Sequence, residues 1–574
     1  MNLRITQAGP LTMQRITALL DQIYGTTLSI SHRQQLLKAI NDAREGIEHL
    51  RKPHWDQQDV VLISYADQFY EQGVPTLRTF DRFRQQHLQD SFTLLHLLPF
   101  YPWSADDGFS VIDYHQVNPP YGGWAEIAEL HRHTRLMFDF VCNHMSAHSG
   151  WFKHYLAQDA GWDDFFISMP PNADLSAVIR PRTSPLLTKF TLQSGETRLL
   201  WTTFSSDQVD LNFASGAVLL KMVGVLLDYL QKGADYVRLD AVGYMWKTPG
   251  TTCIHLEKTH LLVKLFRAIA DEVAPGTVIV TETNVPHQDN IRYFGNGADE
   301  AQMVYQFTLP PLVLHAIHTG SSTVLGQWAA TLTPGSSPTT FFNFLASHDG
   351  IGLNPLRGIL PEEEIASLVR DLAAEGALVS WKNNPDGSTS PYEVNVTWMD
   401  ALNQQADDDD RRLRRFMLSH ALLLAFPGVP AIYIQSLLGS RNDREGVTAA
   451  GYARAINRQK YQIDEIEQEL ADAGSLRHQT FHALRALIQT RMRQPAFHPD
   501  SPLQVLASDE RLLALRRGGA GSAERLLCVF NLSAETVSYA LAEDRYWLDV
   551  AGGNRVDGSE LLVLAPWKYY WLKA

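Results

Sequence analysis

Cysteine is nearly missing from this sequence: Cys142, Cys253 and Cys528 are the three in a chain of 574 residues. Odd in number and far apart, they exclude a disulfide framework and show no metal-ligand spacing, so they read as reduced, buried thiols of a cytosolic protein. Positive charge is also in deficit. With 49 Lys and Arg against 63 Asp and Glu, the formal net charge is −14. That argues against nucleic acid or an anionic membrane as a general partner, because both attract basic surfaces. An anionic small molecule remains open, through a local cluster of cations. Long apolar runs are absent too: the most apolar segment, HALLLAFPGVPAIYI, carries two prolines and falls short of the ~20 residues a spanning helix needs. The first residues, MNLRITQAGPLTMQRI, have no apolar core of a secretion signal. There is no internal repeat and no low-complexity tract. The expectation is a soluble cytoplasmic protein.

What is present is ordinary globular composition, 45% hydrophobic and 20% charged, over a length that suits one large barrel with smaller attachments. From Leu11 to about Lys52, apolar residues recur at spacings of three and four, which predicts helices. Then eight short apolar runs follow at helix-length intervals: VVLISYADQF, FTLLHLLPF, LMFDFVCNH, YVRLDAVGY, VIVTETN, MVYQF, FFNFLASHD and VPAIYIQ. Runs apolar on both faces and separated by helices predict a parallel sheet covered on both sides, and eight such units close a (β/α)8 TIM barrel. Two intervals are too long for a helix alone and predict inserted loop domains. The last seventy or so residues alternate apolar and polar positions and predict an antiparallel β-domain. The expected division is 1–57 for an N-terminal helical extension, 58–500 for the barrel with insertions at about 147–205 and 350–425, and 501–574 for the C-terminal β-domain. The acidic block Asp407 to Asp410 precedes a helical pattern, where carboxylates suit the positive end of a helix.

Polar residues cluster at the ends of the runs, where a barrel places its chemistry. Three run ends carry a carboxylate: Asp240 in VRLDAV, Glu282 in VTETN and Asp349 in ASHDG. Asp139 in MFDFVCNH comes one position too early for the strand mouth and reads as a structural hydrogen-bonding group. Two carboxylates across one gap are the minimum for cleaving a glycosidic bond with retention. One must stay ionised and the other must hold a proton. Arg238 precedes Asp240 by two, on the same face of a strand, and is expected to lower its pKa. Glu282 has only threonines beside it in sequence, so it is the expected proton donor. His144 and His148 have helical spacing, but no carboxylate completes a metal set; no metal and no cofactor are expected.

The set FDFVCNH, YVRLDAVGY, VIVTETN and FLASHDG resembles the four short regions of the α-amylase superfamily. SADDGFSVIDYH, RPRTSPLLTKF and RAINRQKY bring the resemblance nearer to its sucrose-phosphorylase-like subfamily. The amino-terminal helical extension, LASHDGIGLNPLRG and SPYEVN look most like the glucosylglycerate phosphorylases in it. The resemblance implies Asp240 as nucleophile, Glu282 as general acid/base and Asp349 as a third carboxylate gripping sugar hydroxyls. It implies Asp106, His144, His348 and Arg454 around the first sugar, with Phe109 as an apolar platform. It places Arg182, Tyr244 and Tyr392 at positions matching phosphate contacts, with Arg180 or Lys189 as further cations for phosphate or glycerate.

One departure stands out. Where sucrose phosphorylases have glutamine after the mobile tyrosine, this chain has Glu393, whose charge is expected to repel phosphate. The implied partners are an α-glucoside, phosphate and glycerate, with glucosylglycerol, sucrose or sucrose 6-phosphate as alternative substrates. A plain hydrolase and a noncatalytic barrel module are the rival readings.

Overall fold

The computed structural model describes residues 10–47, 55–332, 338–519 and 524–574. Parts of the expected helical extension (1–9 and 48–54) and of the GGAGSAER segment (520–523) lie outside the described residues.

Eight parallel strands close a barrel: β1 Val61–Ser64, β2 Leu94–Leu97, β3 Arg135–Val141, β4 Ala234–Asp240, β5 Val278–Thr281, β6 Met303–Tyr305, β7 Thr340–Asn343 and β8 Val429–Tyr433. Their order round the wall follows the chain, β8 pairing with β1 to close it. Each coincides with one of the eight apolar runs, β3, β4 and β7 starting one or two residues ahead of theirs. The segment HALLLAFPGVPAIYI, the most apolar in the chain, splits into a helix end and β8. Among the described residues no helix is long and apolar enough to cross a membrane.

β4 sets the site. All seven of its residues are buried, because barrel core lies on one face and helices Gly216–Gln231 and Glu257–Val273 lie on the other. Its register with β3 pairs Arg238 with Asp139, and its register with β5 pairs Leu239 with Thr281. Asp240 ends β4, and Glu282 immediately follows β5. Asp349 is farther out, in the loop beyond β7.

Both long intervals hold small antiparallel sheets rather than irregular loop alone. After β3, strands Ser168–Met169, Leu187–Thr191 and Thr197–Trp201 pair with one another. After β7, strands Ile351–Gly352, Leu378–Asn383 and Thr389–Asn395 do so. The acidic block caps the helix Asp409–Ala425, with the Asp408 carboxylate accepting from the Arg411 N–H at 2.8 Å.

Two helices, α1 Pro10–Tyr24 and α2 Ile30–Gly46, pack outside the barrel against the helices flanking β4. They bury Ile16, Leu20, Ile23, Leu36 and Ile40. A six-stranded sheet from Leu503 to Lys573 lies at the carboxyl end, with a separate strand pair, Val537–Ala540 and Leu561–Leu564.

Candidate active site

The barrel mouth opens into a pocket of about 680 Å³ of atom-free space, solvent at the entrance included, within the size range of small-molecule sites. It is lined by Asp106, Phe109, His144, Arg182, Asp240, Tyr244, Glu282, His348, Asp349, Tyr392 and Arg454. Of the residues singled out in the sequence, Arg238 lies behind this wall, fully buried. Arg180 and Lys189 are not brought in. Arg180 turns back to the Ser184 carbonyl, and Lys189 stands exposed on its hairpin.

The electrostatics differ from the pattern expected of Arg238. Its guanidinium serves three carboxylates rather than Asp240 alone: Asp139 at 2.5 Å, Asp240 at 2.9 Å and Glu282 at 3.8 Å. The strand registers are the reason, since Asp139 is its neighbour across β3. Asp139 also takes a hydrogen bond from the buried His96 ring at 2.6 Å. With its cation shared in this way, Asp240 is not held below the ordinary carboxylate range. Burial pushes it well above, Arg238 opposes this, and the Glu282 charge adds to the rise. Burial raises Glu282 as well, against Arg238 and against the Ala241 N–H that donates to it at 2.9 Å. Both largely buried carboxyls meet one guanidinium, so their titrations are linked. The shorter contact to Arg238 favours the charge on Asp240.

Asp349 goes the other way. Burial works against its charge, but Arg454, Arg238, Arg458 and Arg182 together hold its carboxyl below the usual range. Arg454 forms an ion pair with it at 2.7 Å and lies 3.8 Å from Asp106. The expected conflict at Glu393 is resolved by the same arginine. Glu393 is buried and takes a two-pronged pair of hydrogen bonds from Arg454, at 2.8 and 3.0 Å, so its charge is neutralised in place.

Phe109 stacks on His348, with centroids 4.6 Å apart and rings 4° from parallel. The His144 Nε2 lies 2.9 Å from the Phe109 carbonyl and its ring packs on Phe204. His148 diverges from His144 and is mostly exposed. Arg182 stands between two aromatic faces, 5.4 Å from Phe204 and 5.2 Å from Tyr392, with Tyr244 edge-on to Phe204. Burial pushes the Tyr392 hydroxyl up to about 12, so it stays a neutral donor.

Sequence reasoning missed Phe204 and Gln208, which line the pocket, and the buried Lys247, whose ammonium lies 2.7 Å from both Asp210 and Asn143. It also passed over Arg458, although RAINRQKY was in view, because spacing does not tell which of two arginines faces a pocket.

A model described as the α-amylase catalytic domain matches residues 87–349. A glucosylglycerate phosphorylase of Escherichia coli is 57% identical over 98% of this chain and 100% of its own length. The chain belongs to the α-amylase family. Within this family it is also 48% identical to a glucosylglycerate phosphorylase of Allomeiothermus silvanus, over 82% of this chain and 84% of that one. A sucrose phosphorylase of Agrobacterium vitis is 32% identical, over 80% and 92%. These place the chain in the sucrose-phosphorylase-like branch. The crystal structure of a sucrose 6F-phosphate phosphorylase from Thermoanaerobacter thermosaccharolyticum shares the fold, with a TM-score of 0.73 at 24% identity over 88% of this chain and 98% of that one.

Proposed function

We propose that the protein is a retaining glycoside phosphorylase that moves a glucosyl group reversibly between 2-O-α-glucosylglycerate and phosphate, giving α-glucose 1-phosphate and glycerate. The observation that carries this reading is the end-to-end likeness to the glucosylglycerate phosphorylase of Escherichia coli. The pocket chemistry is consistent with it.

In the forward direction the Asp240 carboxylate attacks the anomeric carbon while Glu282 gives its proton to the departing glycerate oxygen, leaving a β-linked glucosyl-enzyme. A phosphate oxygen then attacks the same carbon from the opposite face. The bond to Asp240 breaks, Glu282 takes up the proton, and the α configuration is restored. Asp349, Asp106, His144, His348 and Arg454 hold the sugar hydroxyls over Phe109, and fixed partners of this kind reject epimers that leave one of them unpaired. Arg182, Tyr244 and Tyr392 receive phosphate or the glycerate carboxylate in turn, both anions suiting a guanidinium fork. A cytoplasmic setting agrees with a phosphorylated product and with three buried free thiols.

The test is to incubate the protein with glucose 1-phosphate and, separately, glycerate, glycerol, fructose or fructose 6-phosphate. Glycerate should release phosphate fastest. A faster release with another acceptor would replace glycerate, and glucose formed equally fast with no acceptor would make the enzyme a hydrolase.

A further inference from the structure

The loop after β2 runs through three consecutive residues of positive φ: Asp106 at 53°, Asp107 at 47° and Gly108 at 109°. Glycine is required at the third, where a Cβ would come within 2.5 Å of the Pro99 carbonyl oxygen. The two aspartates have no such excuse. Left-handed backbone is uncommon for residues with a Cβ, and two in succession persist only when surroundings hold them. The turn matters because it aims Asp106 into the pocket and presents Phe109 as its floor.

Three side chains meet its carboxylates, Tyr452, Arg454 and Arg458, and Arg458 reaches both of them. Arg458 is 4% exposed, and its Nη1 donates to Asp106 Oδ1 at 3.1 Å and to Asp107 Oδ2 at 3.0 Å. Its Nε donates to the His348 carbonyl at 2.9 Å. A single guanidinium thus ties the strained turn after β2 to the loop after β7 that carries His348 and Asp349. Its neighbour Asn457 donates to the Ser347 carbonyl at 3.0 Å, so the attachment to the β7 loop is doubled. The exposed Tyr452 donates to Asp107 as well. Arg458 is absent from the pocket wall.

We propose that Arg458 is a positioning residue for glucosyl recognition: it stabilises the left-handed Asp106–Asp107 turn and sets the distance between that turn and the His348–Asp349 loop, so that both grip the same sugar. This rests on the reading of the pocket as a glucosyl site. Lysine would supply charge at one point, whereas the guanidinium reaches both aspartates and the carbonyl from fixed directions.

The test uses Arg458→Met, Asp107→Gly and the double variant of the full chain. Arg458→Met should raise the KM for glucose 1-phosphate and lower kcat/KM on the order of a hundredfold, by the same factor for every acceptor, with acceptor KM unchanged. Adding Asp107→Gly, where glycine takes the positive φ freely, should recover at least tenfold of that loss. Amide hydrogen exchange across 104–110 should be faster in Arg458→Met than in the parent and slow again in the double variant. Unchanged kcat/KM, a loss confined to kcat, or no recovery by the glycine would overturn the proposal. If the parent transfers glucose to no acceptor, the reading of the site falls. The exchange comparison then still decides whether Arg458 holds the turn, and unchanged exchange would overturn the inference by itself.

Discussion

At the scale of the residue, the pair Asp240 and Glu282 stores a conflict that the proposed reaction uses and that costs stability. Both carboxyls have pKa values raised by burial. A group whose folded pKa is raised binds its proton more tightly folded than unfolded. It therefore costs stability above its ordinary pKa and costs none below it. Glu282→Gln keeps the size and the Ala241 hydrogen bond while removing the charge. We expect it to raise the melting temperature at neutral pH, with the gain over the parent shrinking as pH falls toward about 4. Its glucosyl transfer should fall about 10²- to 10⁴-fold, the usual range for loss of a positioned acid. Parallel melting curves and rates across pH check both, and an unchanged melting temperature at every pH would rule out the burial cost. In the parent, transfer should decline as pH rises through the raised pKa of the acid.

Arg182 has a separate role. Held between Phe204 and Tyr392, it is the cation we propose for the incoming anion, and hydrogen bonds to charged groups contribute about 1.5–3 kcal/mol. Arg182→Ala should raise the KM for phosphate and for glycerate together, by at least about tenfold. An effect on one alone would separate their sites. Asp240, Glu282 and Asp349 were legible as a triad because strand ends and glycine breaks mark the mouth of a barrel in sequence. The partner assignments were not. Arg238 reads as the private partner of Asp240 along the strand, but its shortest contact is across the strands, to Asp139, and pairing across strands is invisible in a linear spacing.

At the scale of the element, α1 and α2 show how a peripheral segment reaches the mouth. Tyr24, the last residue of α1, donates to the Phe213 carbonyl at 2.7 Å, and its ring meets Trp246 edge-on at 6.0 Å. Trp246 belongs to the loop after β4 that carries Tyr244. The helices were plain from their three-and-four periodicity, but which barrel helices they cover was not, because amphipathic faces are interchangeable until shapes meet. Leu20 is fully buried in that contact. Leu20→Ala should cost about 2–5 kcal/mol in denaturant unfolding while leaving the KM for glucose 1-phosphate within twofold of the parent. A cost under about 0.5 kcal/mol would show that α1 is not firmly docked. The two insertions give the opposite lesson. That these intervals are too long for a helix alone could be read, yet their small sheets could not, since strands of two to seven residues, several with exposed or half-buried positions, lack the apolar runs that announced the barrel.

At the scale of the whole molecule, the carboxyl-terminal sheet is joined to the barrel by a buried polar contact as well as by packing. Arg517 is fully buried; it donates to the Ala425 carbonyl, at the end of the helix before β8, and to the carbonyls of His498 and Ser501 at 2.8 and 3.2 Å. Carbonyls at a helix end have no partner in the helix itself, so a cation there serves both sides of the junction. Arg517→Met should lower the unfolding free energy by about 1–3 kcal/mol for each carbonyl left unpaired, seen as an earlier transition in urea, with kcat/KM near that of the parent. A transition at the parent's midpoint would mean that packing alone holds the sheet.

The sequence by itself determined the barrel, the order of its strands and the three carboxylates at its mouth. Each rests on local patterns: runs apolar on both faces, breaks at their ends, and short motifs whose residue types bear the chemistry. Tertiary structure alone decided which cation serves which acid. Glu393 becomes harmless through Arg454, Arg238 is divided among three carboxylates, and Arg458 holds a turn more than three hundred positions away in the chain. The reason is physical. Burial and charge pairing depend on distance in space and on the loss of water, and neither is defined until the barrel has closed.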